Sequence, residues 1–165
     1  MFENVKEDIR VGAAWHNIEV VRRHFGETGV RSAAVIMSPT LQAVLVYRLQ
    51  AWLRKNHVPV LPELCRRLTM LTCAVAIGDQ TVIGPGLLMA HGNVIIDGTT
   101  TIGPLCSVSP FVTIGLNTGG PDATLGGPTI GRFVFIGTGA KILGSISIGD
   151  NVRIGANAVV LSDVP

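Results

Sequence analysis

The sequence predicts a mainly β fold, a parallel β-helix, preceded by an N-terminal α-helical cap. Three observations predict it. In the second half of the chain an apolar residue recurs every six positions, glycine often follows it directly, and the composition is rich in small and apolar residues. The 165 residues include 20 Gly, and 47% of them are hydrophobic although only 5% are aromatic. Such a chain forms one domain with at most a small appendage, and its hydrophobicity excludes a disordered protein.

The six-residue period runs from residue 77 to the end of the chain, with a one-residue slip before Ile102 and a ten-residue interruption after Ile114. Eight of its twelve apolar residues are followed directly by Gly. The twelve residues, which we call the ladder, are Ile77, Ile83, Met89, Ile102, Val108, Ile114, Ile130, Ile136, Ile142, Ile148, Ile154 and Val160.

A helix repeats every 3.6 residues and a strand every two, so neither alone selects one residue in six. A short strand followed by a sharp corner does. We expect the apolar residue to stack inside and the following glycine to give the corner its backbone freedom. Three units then make one triangular turn, and neighbouring turns bury their ladder residues and pair their backbones.

The first 73 residues are predicted to be helical. Apolar residues at broadly helical spacing predict a helix over residues 5–25 that ends at Gly26. A second helix begins with Ser38 as N-cap and Pro39 in its first turn, and a short third helix covers residues 61–71. We expect these helices to pack subunits together and to cap the first turn, since an exposed strand edge invites aggregation. The predicted domains are residues 1–73 and 74–165, with a loop at 116–129.

Charge and cysteine content exclude several classes of protein. The net charge is +2 without a basic run, so no nucleic-acid surface is expected. The uncharged stretch 80–96 is interrupted by Gly and Pro, which argues against a membrane span. We expect reduced thiols in a cytoplasmic protein, because the three cysteines lack metal-ligand spacing. They are Cys65, Cys73 and Cys106.

His91 is the only one of the four histidines that lies in the predicted coil. It follows Met89 by two residues, at a corner where its side chain should point outward. An imidazole there could remove a proton from a hydroxyl group at neutral pH; the alternative is an ordinary surface histidine. A β-helical metalloenzyme of the carbonic anhydrase kind would need three His ligands on the coil, so no metal is expected.

The ten-residue interruption predicts a loop expelled from one corner of the coil. The core does not need such a loop, and loops on rigid scaffolds commonly contribute to functional sites. Asn117 and Asp122 are its candidate polar residues. The alternative is a surface insertion without a role.

His91, the loop and the coil together resemble the serine acetyltransferase branch of the left-handed β-helix, hexapeptide-repeat acyltransferases. The likeness is closest in IGTGAKILG (136–144) and IGANAVVL (154–161), and HGNVII (91–96) matches the segment that carries the family's general base. The resemblance implies a left-handed coil, acetyl-CoA as co-substrate, and a homotrimer or a dimer of trimers. It also implies that the pantetheine arm lies in a groove between the coils of adjacent subunits.

The resemblance also implies a role for individual residues. His91 would deprotonate the acceptor hydroxyl, which then attacks the thioester. The residues implied for acetyl-CoA binding are Thr113, Gly137, Thr138, Lys141, Arg153, Gly155 and Ala156. We expect the acceptor near Asn93, Asp97, Asn117 and Asp122.

Four residues depart from the family pattern. Ala76 stands where the family has the acidic residue that orients the histidine, and Ala90 stands where it has an Asp that helps bind the amino acid. Gly126 and Gly127 replace an Arg-His pair. Charge-assisted hydrogen bonds are the strong ones, so a zwitterionic acceptor would lose much of its binding.

The sequence therefore predicts an acetyl-CoA-dependent O-acetyltransferase whose acceptor is a neutral hydroxyl, on a sugar or polysaccharide precursor or another small molecule. Two alternatives stay open: a true serine O-acetyltransferase of cysteine biosynthesis, and a non-catalytic assembly protein. Asp97, Asp122 and a backbone carbonyl are the candidates for orienting His91 in place of the missing acid.

Overall fold

The computed structural model describes residues 2–16, 19–118 and 126–165, without the side chains of residues 2, 15–25 and 31. Within these residues four helices precede thirteen short strands. The helices are α1 (Phe2–His16), α2 (Glu19–Met37), α3 (Pro39–Lys55) and α4 (Leu61–Cys73). The strands are β1 (Val75–Ile77), β2 (Val82–Ile83), β3 (Leu88–Met89), β4 (Val94–Ile96), β5 (Thr101–Ile102), β6 (Ser107–Val108), β7 (Thr113–Gly115), β8 (Thr129–Ile130), β9 (Phe135–Ile136), β10 (Lys141–Leu143), β11 (Ser147–Ile148), β12 (Arg153–Ile154) and β13 (Val159–Val160).

The strands form three parallel sheets, which are the three faces of a prism. Sheet A has the order β1-β4-β7-β10-β13, sheet B contains β2, β5, β8 and β11, and sheet C contains β3, β6, β9 and β12. Each strand pairs with the strand one turn later, in parallel. The predicted left-handed parallel β-helix with N-terminal helices is confirmed.

The ladder residues fill the prism. Eleven of the twelve are buried and Val160 is half-buried. A further ladder residue, Ile96, was missed: it is fully buried and pairs with Ile77 and Ile114. Because Ile96 follows Met89 by seven residues and precedes Ile102 by six, the one-residue slip lies between Met89 and Ile96.

The glycines that follow ladder residues do not supply the predicted backbone freedom. The left-handed φ falls three residues after the ladder residue, mostly on other residue types. These are Leu105, Phe111, Phe133, Asn151 and Asn157, with φ between 57° and 62°. The glycine is needed because successive turns approach closely. A β-carbon on Gly84 would lie 2.7 Å from the backbone nitrogen of Pro104, and one on Gly103 would lie 2.5 Å from the carbonyl oxygen of Gly131.

The first predicted helix, over 5–25, falls on α1 (Phe2–His16) and the first part of α2 (Glu19–Met37). Residues 17–18, between these two elements, lie outside the described residues. Gly26 has φ 66° and ψ −168°, outside the helical region, so the helix is broken at Gly26 as predicted, and a second helical segment of α2 continues to Met37. The helix resumes because Val30 and Ala34 are fully buried against α1 and α3, and this packing stabilises a segment that propensity alone would not.

Helix α3 begins as predicted: Ser38 is its N-cap, and the hydroxyl oxygen accepts a hydrogen bond from the Leu41 N–H at 3.2 Å. Pro39 occupies the first helical position, where its missing N–H costs nothing.

Helix α3 also closes the open edge of the first turn. In later turns the carbonyl oxygens of the ladder residues accept hydrogen bonds from N–H groups of the preceding turn. The Ile96 oxygen, for example, is 2.7 Å from the Gly78 nitrogen. The first turn has no turn before it, and side chains of α3 donate instead. Gln50 donates to the Ile77 oxygen (3.3 Å), Arg48 to the Ile83 oxygen and Thr40 to the Met89 oxygen (2.8 Å).

A buried ion pair ties α1 to the same edge. Arg48 Nε lies 2.8 Å from Asp8 Oδ2, and the two side chains are 5% and 0% exposed. Asp8 Oδ1 accepts a hydrogen bond from the Gly86 N–H at 2.7 Å, and Arg48 Nη2 donates to the Gly84 oxygen at 2.6 Å. Helices α1 and α3 are thus joined to the first corner of the coil.

In the part of the chain described here, no single helix is both long and apolar enough to cross a membrane. Gly26–Met37 and Pro39–Lys55 meet that criterion only as a pair, and the two are bent by 88° relative to each other.

Candidate active site

His91 lies on the edge of the prism where sheet C passes into sheet A, which we call the C–A edge. The edge is formed by the stacked corners 90–93, 109–112, 137–140 and 155–158. The chain around His91 holds one residue more than the next turn does. Met89 pairs with Val108 and Ile95 pairs with Thr113, so five residues separate Met89 from Ile95 and four separate Val108 from Thr113. The slip in the ladder therefore lies at the histidine, whose side chain is exposed as predicted.

A groove of about 400 Å³ runs beside this edge, between sheet A and the end of α4. Most of its wall is apolar, and Ile95 and Phe111 are each about half exposed. Its lining residues are Met70, Ala74, Ala76, Asn93, Ile95, Phe111, Thr113 and Lys141. Three predicted site residues, Asn93, Thr113 and Lys141, therefore share one groove next to the His91 corner.

The residues implied for acetyl-CoA lie along the same edge. Gly137 and Thr138 belong to the third corner, and Gly155 and Ala156 to the fourth. Backbone bonds stack these corners: the Gly137 N–H donates to the Ile154 oxygen at 2.9 Å, and the Asn157 N–H to the Thr138 oxygen at 2.7 Å. The structure thus places His91 and these four residues on one edge.

The two predicted basic residues flank this edge from opposite faces. Lys141 is on sheet A, and its Nζ donates to the Phe111 carbonyl at 2.6 Å, which fixes the amine across the edge. Arg153 is on sheet C, with its guanidinium 5.9 Å from the centre of the Phe135 ring. Both cations are beside the edge, where a phosphate could meet them.

Asp97 and Asn117 lie elsewhere, on the edge between sheets A and B. Asp97 is four residues of extended chain beyond Asn93, roughly 13 Å. Its Oδ1 accepts a hydrogen bond from the Gly98 N–H at 2.8 Å, so its carboxylate caps its own turn. Asp97, one of the three candidates for orienting His91, therefore lies on a different edge from His91 within one chain. Asp122 lies outside the described residues.

Sequence reasoning missed a charged cleft of about 320 Å³ on the far side of Ala76. Glu63 and Arg66 of α4 face Asp79 and Asp97 across it. Hydrogen bonds from Arg66 and Arg67 lower the pKa of Glu63 to about 2. The spacing of Glu63, Arg66 and Arg67, three and four residues apart, was a signal for this cluster. Ala76 therefore separates an apolar groove from a charged cleft.

The chemistry of the other titratable groups is limited. Cys65, Cys73 and Cys106 are free and buried thiols, and burial raises the pKa of Cys65 and Cys106. Among residues 2–16, 19–118 and 126–165, no three His, Cys, Asp or Glu side chains group as metal ligands would. No side chain of these residues donates to or accepts from the His91 ring.

Comparisons with known proteins agree with this architecture. Residues 127–162 match the bacterial transferase hexapeptide (six repeats) family. The chain is 39% identical over 132 residues to a serine acetyltransferase of Helicobacter pylori strain J99, covering 76% of that relative. The chain belongs to the serine acetyltransferase family. A serine acetyltransferase of Synechococcus elongatus is 40% identical over 128 residues.

A solved structure of a serine acetyltransferase in complex with CoA superimposes on 99% of the chain, with a TM-score of 0.79 and 26% identity. The chain covers 63% of that structure and 52% of the Synechococcus relative. This member of the serine acetyltransferase family thus spans between half and three quarters of the relatives it matches.

Proposed function

We propose that the chain is an acetyl-CoA-dependent O-acetyltransferase and that its acceptor is L-serine. The observation that supports the activity is the shared C–A edge, which carries His91, the four corner residues implied for acetyl-CoA, and the adjoining groove. The names of the relatives favour serine over the sugar acceptor that the four substitutions indicate.

The groove suits the pantetheine arm of acetyl-CoA, which is a thin chain of methylene and amide groups. Ile95 and Phe111 offer apolar surface to the methylene groups, and corner backbone near Gly137 and Gly155 can bond to the amides. Lys141 and Arg153 stand at the two sides of the edge for phosphate oxygens. Acetyl-CoA supplies the activated acetyl group as a thioester.

In the proposed mechanism His91 accepts the proton of the acceptor hydroxyl as the hydroxyl oxygen bonds to the acetyl carbonyl carbon. The carbon–sulfur bond then breaks, and His91 returns the proton to the leaving thiolate. Its exposure at the corner lets it reach an acceptor in the groove. An imidazole suits this transfer because it can both accept and donate a proton.

The proposed assembly is a trimer, in which a neighbouring coil covers sheet A and completes the groove. The division of the chain at residues 73 and 74 and a cytoplasmic location are part of the same proposal. Exposed apolar groups on one face support an interface there, since large apolar patches commonly mark interaction sites.

The decisive experiment follows thiol release from acetyl-CoA with L-serine, L-homoserine and a panel of sugars. We expect turnover with L-serine, and loss of about 100-fold or more in His91→Ala, because general base catalysis contributes about 10²–10⁴-fold. His57→Ala is the matched control, since His57 is also exposed but lies between α3 and α4. Equal rates in His91→Ala and the control would contradict the role of His91.

A neutral acceptor is the second candidate, favoured by the apolar wall next to His91. Ala76 and Ala90 leave the groove without the acidic groups that would bind an amino acid. Turnover of a sugar but not of L-serine would establish it. Neither turnover nor acetyl-CoA binding would favour the non-catalytic assembly protein.

A further inference from the structure

The corner that carries His91 is held on one side by the start of α3. Thr40 Oγ1 donates to the Met89 carbonyl at 2.8 Å, and Met89 precedes His91 by two residues. Thr40 is only 7% exposed, so water does not compete for this bond. Ser38 lies 3.3 Å from the Thr40 hydroxyl and is buried beside it. The strand that enters the His91 corner is therefore anchored to the N-terminus of a helix.

The end of α4 holds the other side of the same corner. A β-carbon on Gly92 would lie 2.1 Å from the Cys73 carbonyl oxygen, so the chain after His91 passes in direct contact with the last residue of α4. Two residues beyond Gly92, the Val94 N–H donates to the Ala74 oxygen at 3.2 Å. His91 thus sits between two anchored backbone segments.

This arrangement bears on how His91 is positioned. Ala76 stands where the family has an orienting acid, and no side chain of the described residues forms a hydrogen bond with the His91 ring. The anchors reach the histidine through its backbone neighbours. Because Met89 is the last strand residue before the corner, a shift of its carbonyl would carry the His91 Cα with it.

We propose that Thr40 is a positioning residue for His91, acting through its hydrogen bond to the Met89 carbonyl. The proposal rests on the proposed function, in which His91 is the general base. Helix α3 then has two roles. Through Gln50 and Arg48 it closes the first turn, and through Thr40 it positions His91.

A merely structural role is separable from a positioning role because α3 provides a matched pair of bonds. Gln50 donates to the Ile77 carbonyl as Thr40 donates to the Met89 carbonyl, and both donors are buried. Ile77 leads to a different corner, fourteen residues before His91. The test compares Thr40→Val, which removes the hydroxyl at nearly constant shape, with Thr40→Ser, which keeps it, and with Gln50→Met.

The first readout is kinetic. We expect Thr40→Val to lower kcat by roughly one order of magnitude with the KM for acetyl-CoA unchanged, because a displacement of about 1 Å costs about 100-fold and the loss of one anchoring bond should give a smaller displacement. Thr40→Ser should have the wild-type kcat because it keeps the hydroxyl, and Gln50→Met should have the wild-type kcat as well. A kcat in Thr40→Val equal to that in Gln50→Met would overturn the proposal.

The second readout does not need turnover. In NMR spectra of protein with isotope-labelled histidine, the His91 ring signal is assigned by its loss in His91→Ala. We expect Thr40→Val to move that signal while Gln50→Met leaves it in place. An unmoved signal in Thr40→Val overturns the proposal even if the wild-type protein turns over no acceptor, whereas absence of turnover alone overturns only the proposed function.

A second variant tests the same corner from the side of α4. Gly92→Ala forces the corner away from Cys73 and should move the His91 signal. Gly115→Ala is its control, because a β-carbon there meets nothing closer than 3.5 Å. A His91 signal that stays in place in Gly92→Ala would show that the corner is not held by these contacts.

Discussion

A methyl group at Gly103 is enough to disturb the coil, because the neighbouring turn leaves no room for it. The Gly103 position has the Gly131 carbonyl oxygen 2.5 Å from an added β-carbon, and that oxygen is backbone that cannot rotate away. Replacement therefore forces two turns apart. The absence of a side chain is required by contact between neighbouring turns, so this requirement links residues that are far apart in the sequence.

We expect Gly103→Ala to lower the free energy of unfolding by about 1–3 kcal/mol, the usual cost of overpacking. Gly115→Ala, with its nearest contact at 3.5 Å, should be neutral or stabilising by about 0.5–1 kcal/mol, because alanine loses less backbone entropy than glycine. Urea unfolding of both variants measures the difference. Equal stability in the two would show that the turns adjust to a β-carbon.

The ladder could be predicted residue by residue because the period is local and each position has one apolar side chain. Ile96 was not predicted, because the extra residue at the His91 corner shifts the six-residue period by one position. The bonds of Lys141 to Phe111 and of Arg48 to Asp8 could not be predicted, since they join residues 30 and 40 positions apart that only the coil register or helix packing brings together.

The position of the candidate site in the fold could be predicted in part from the sequence. Counting in sixes with the ten-residue interruption left out puts His91, Gly137 and Gly155 on one edge and Asp97 on another. The local sequence did not reveal the groove wall, because Met70 comes from α4 and Ala74 is the C-cap of that helix. The continuation of α2 beyond Gly26 was missed, since the burial of Val30 and Ala34, rather than a local signal, restarts the helix there.

Among the elements, α4 carries a charge cluster whose contribution depends on pH. Hydrogen bonds from Arg66 and Arg67 depress the pKa of Glu63 from 4.5 to about 2 in the folded protein. A carboxylate with a depressed pKa stabilises the fold above its unfolded pKa, and that contribution is lost as pH falls through the folded pKa. The affected window is therefore from about pH 4.5 down to about pH 2.

We expect Glu63→Gln to flatten the loss of stability across that window by removing the stabilisation present above it, and this loss at neutral pH should be small because the pair is exposed. Arg66→Gln removes the largest cause of the depressed pKa and should give most of the same flattening. Thermal unfolding midpoints measured from pH 6 to about pH 2 check this. If both variants kept the wild-type dependence of the unfolding midpoint on pH, this account of the Glu63 pKa would be contradicted.

The buried pair of Arg48 and Asp8 joins two helices to the coil, and its removal should be costly. We expect Arg48→Met to lower the free energy of unfolding by about 3–5 kcal/mol, because Asp8 is left buried without its partner. Arg132→Met is the matched control, since Arg132 lies at the same 2.8 Å from Asp150 but both are exposed; its cost should be about 0–1 kcal/mol. Chemical denaturation measures both, and a similar small loss in each would contradict this account.

At the scale of the whole molecule, sheet A and the adjoining C–A edge present an unusual amount of apolar surface. Ile95, Phe111 and Val159 are 48%, 58% and 64% exposed, and Leu71 at the end of α4 is 87% exposed. A monomer would leave these side chains in water, whereas a neighbouring coil would bury them.

We expect sedimentation equilibrium to give three times the 17.4-kDa mass of the chain. Ile95→Glu should shift the protein toward the monomer, because a carboxylate would be buried at the interface. Val82→Glu is the control on sheet B, where Val82 is 60% exposed. A monomeric wild type, or equal dissociation by both variants, would contradict an interface on sheet A.

The closure of the first turn by α3 also governs how the coil behaves toward other copies of itself. Without Thr40, Arg48 and Gln50, three ladder carbonyls would point along the axis of the prism with no donor of their own. A coil freed of its helices would accept the backbone of another chain at that end, and each added chain would do the same. Such a contact does not close on itself, so it propagates as a fibre. The helix that orders the first turn thereby keeps the protein from polymerising end to end.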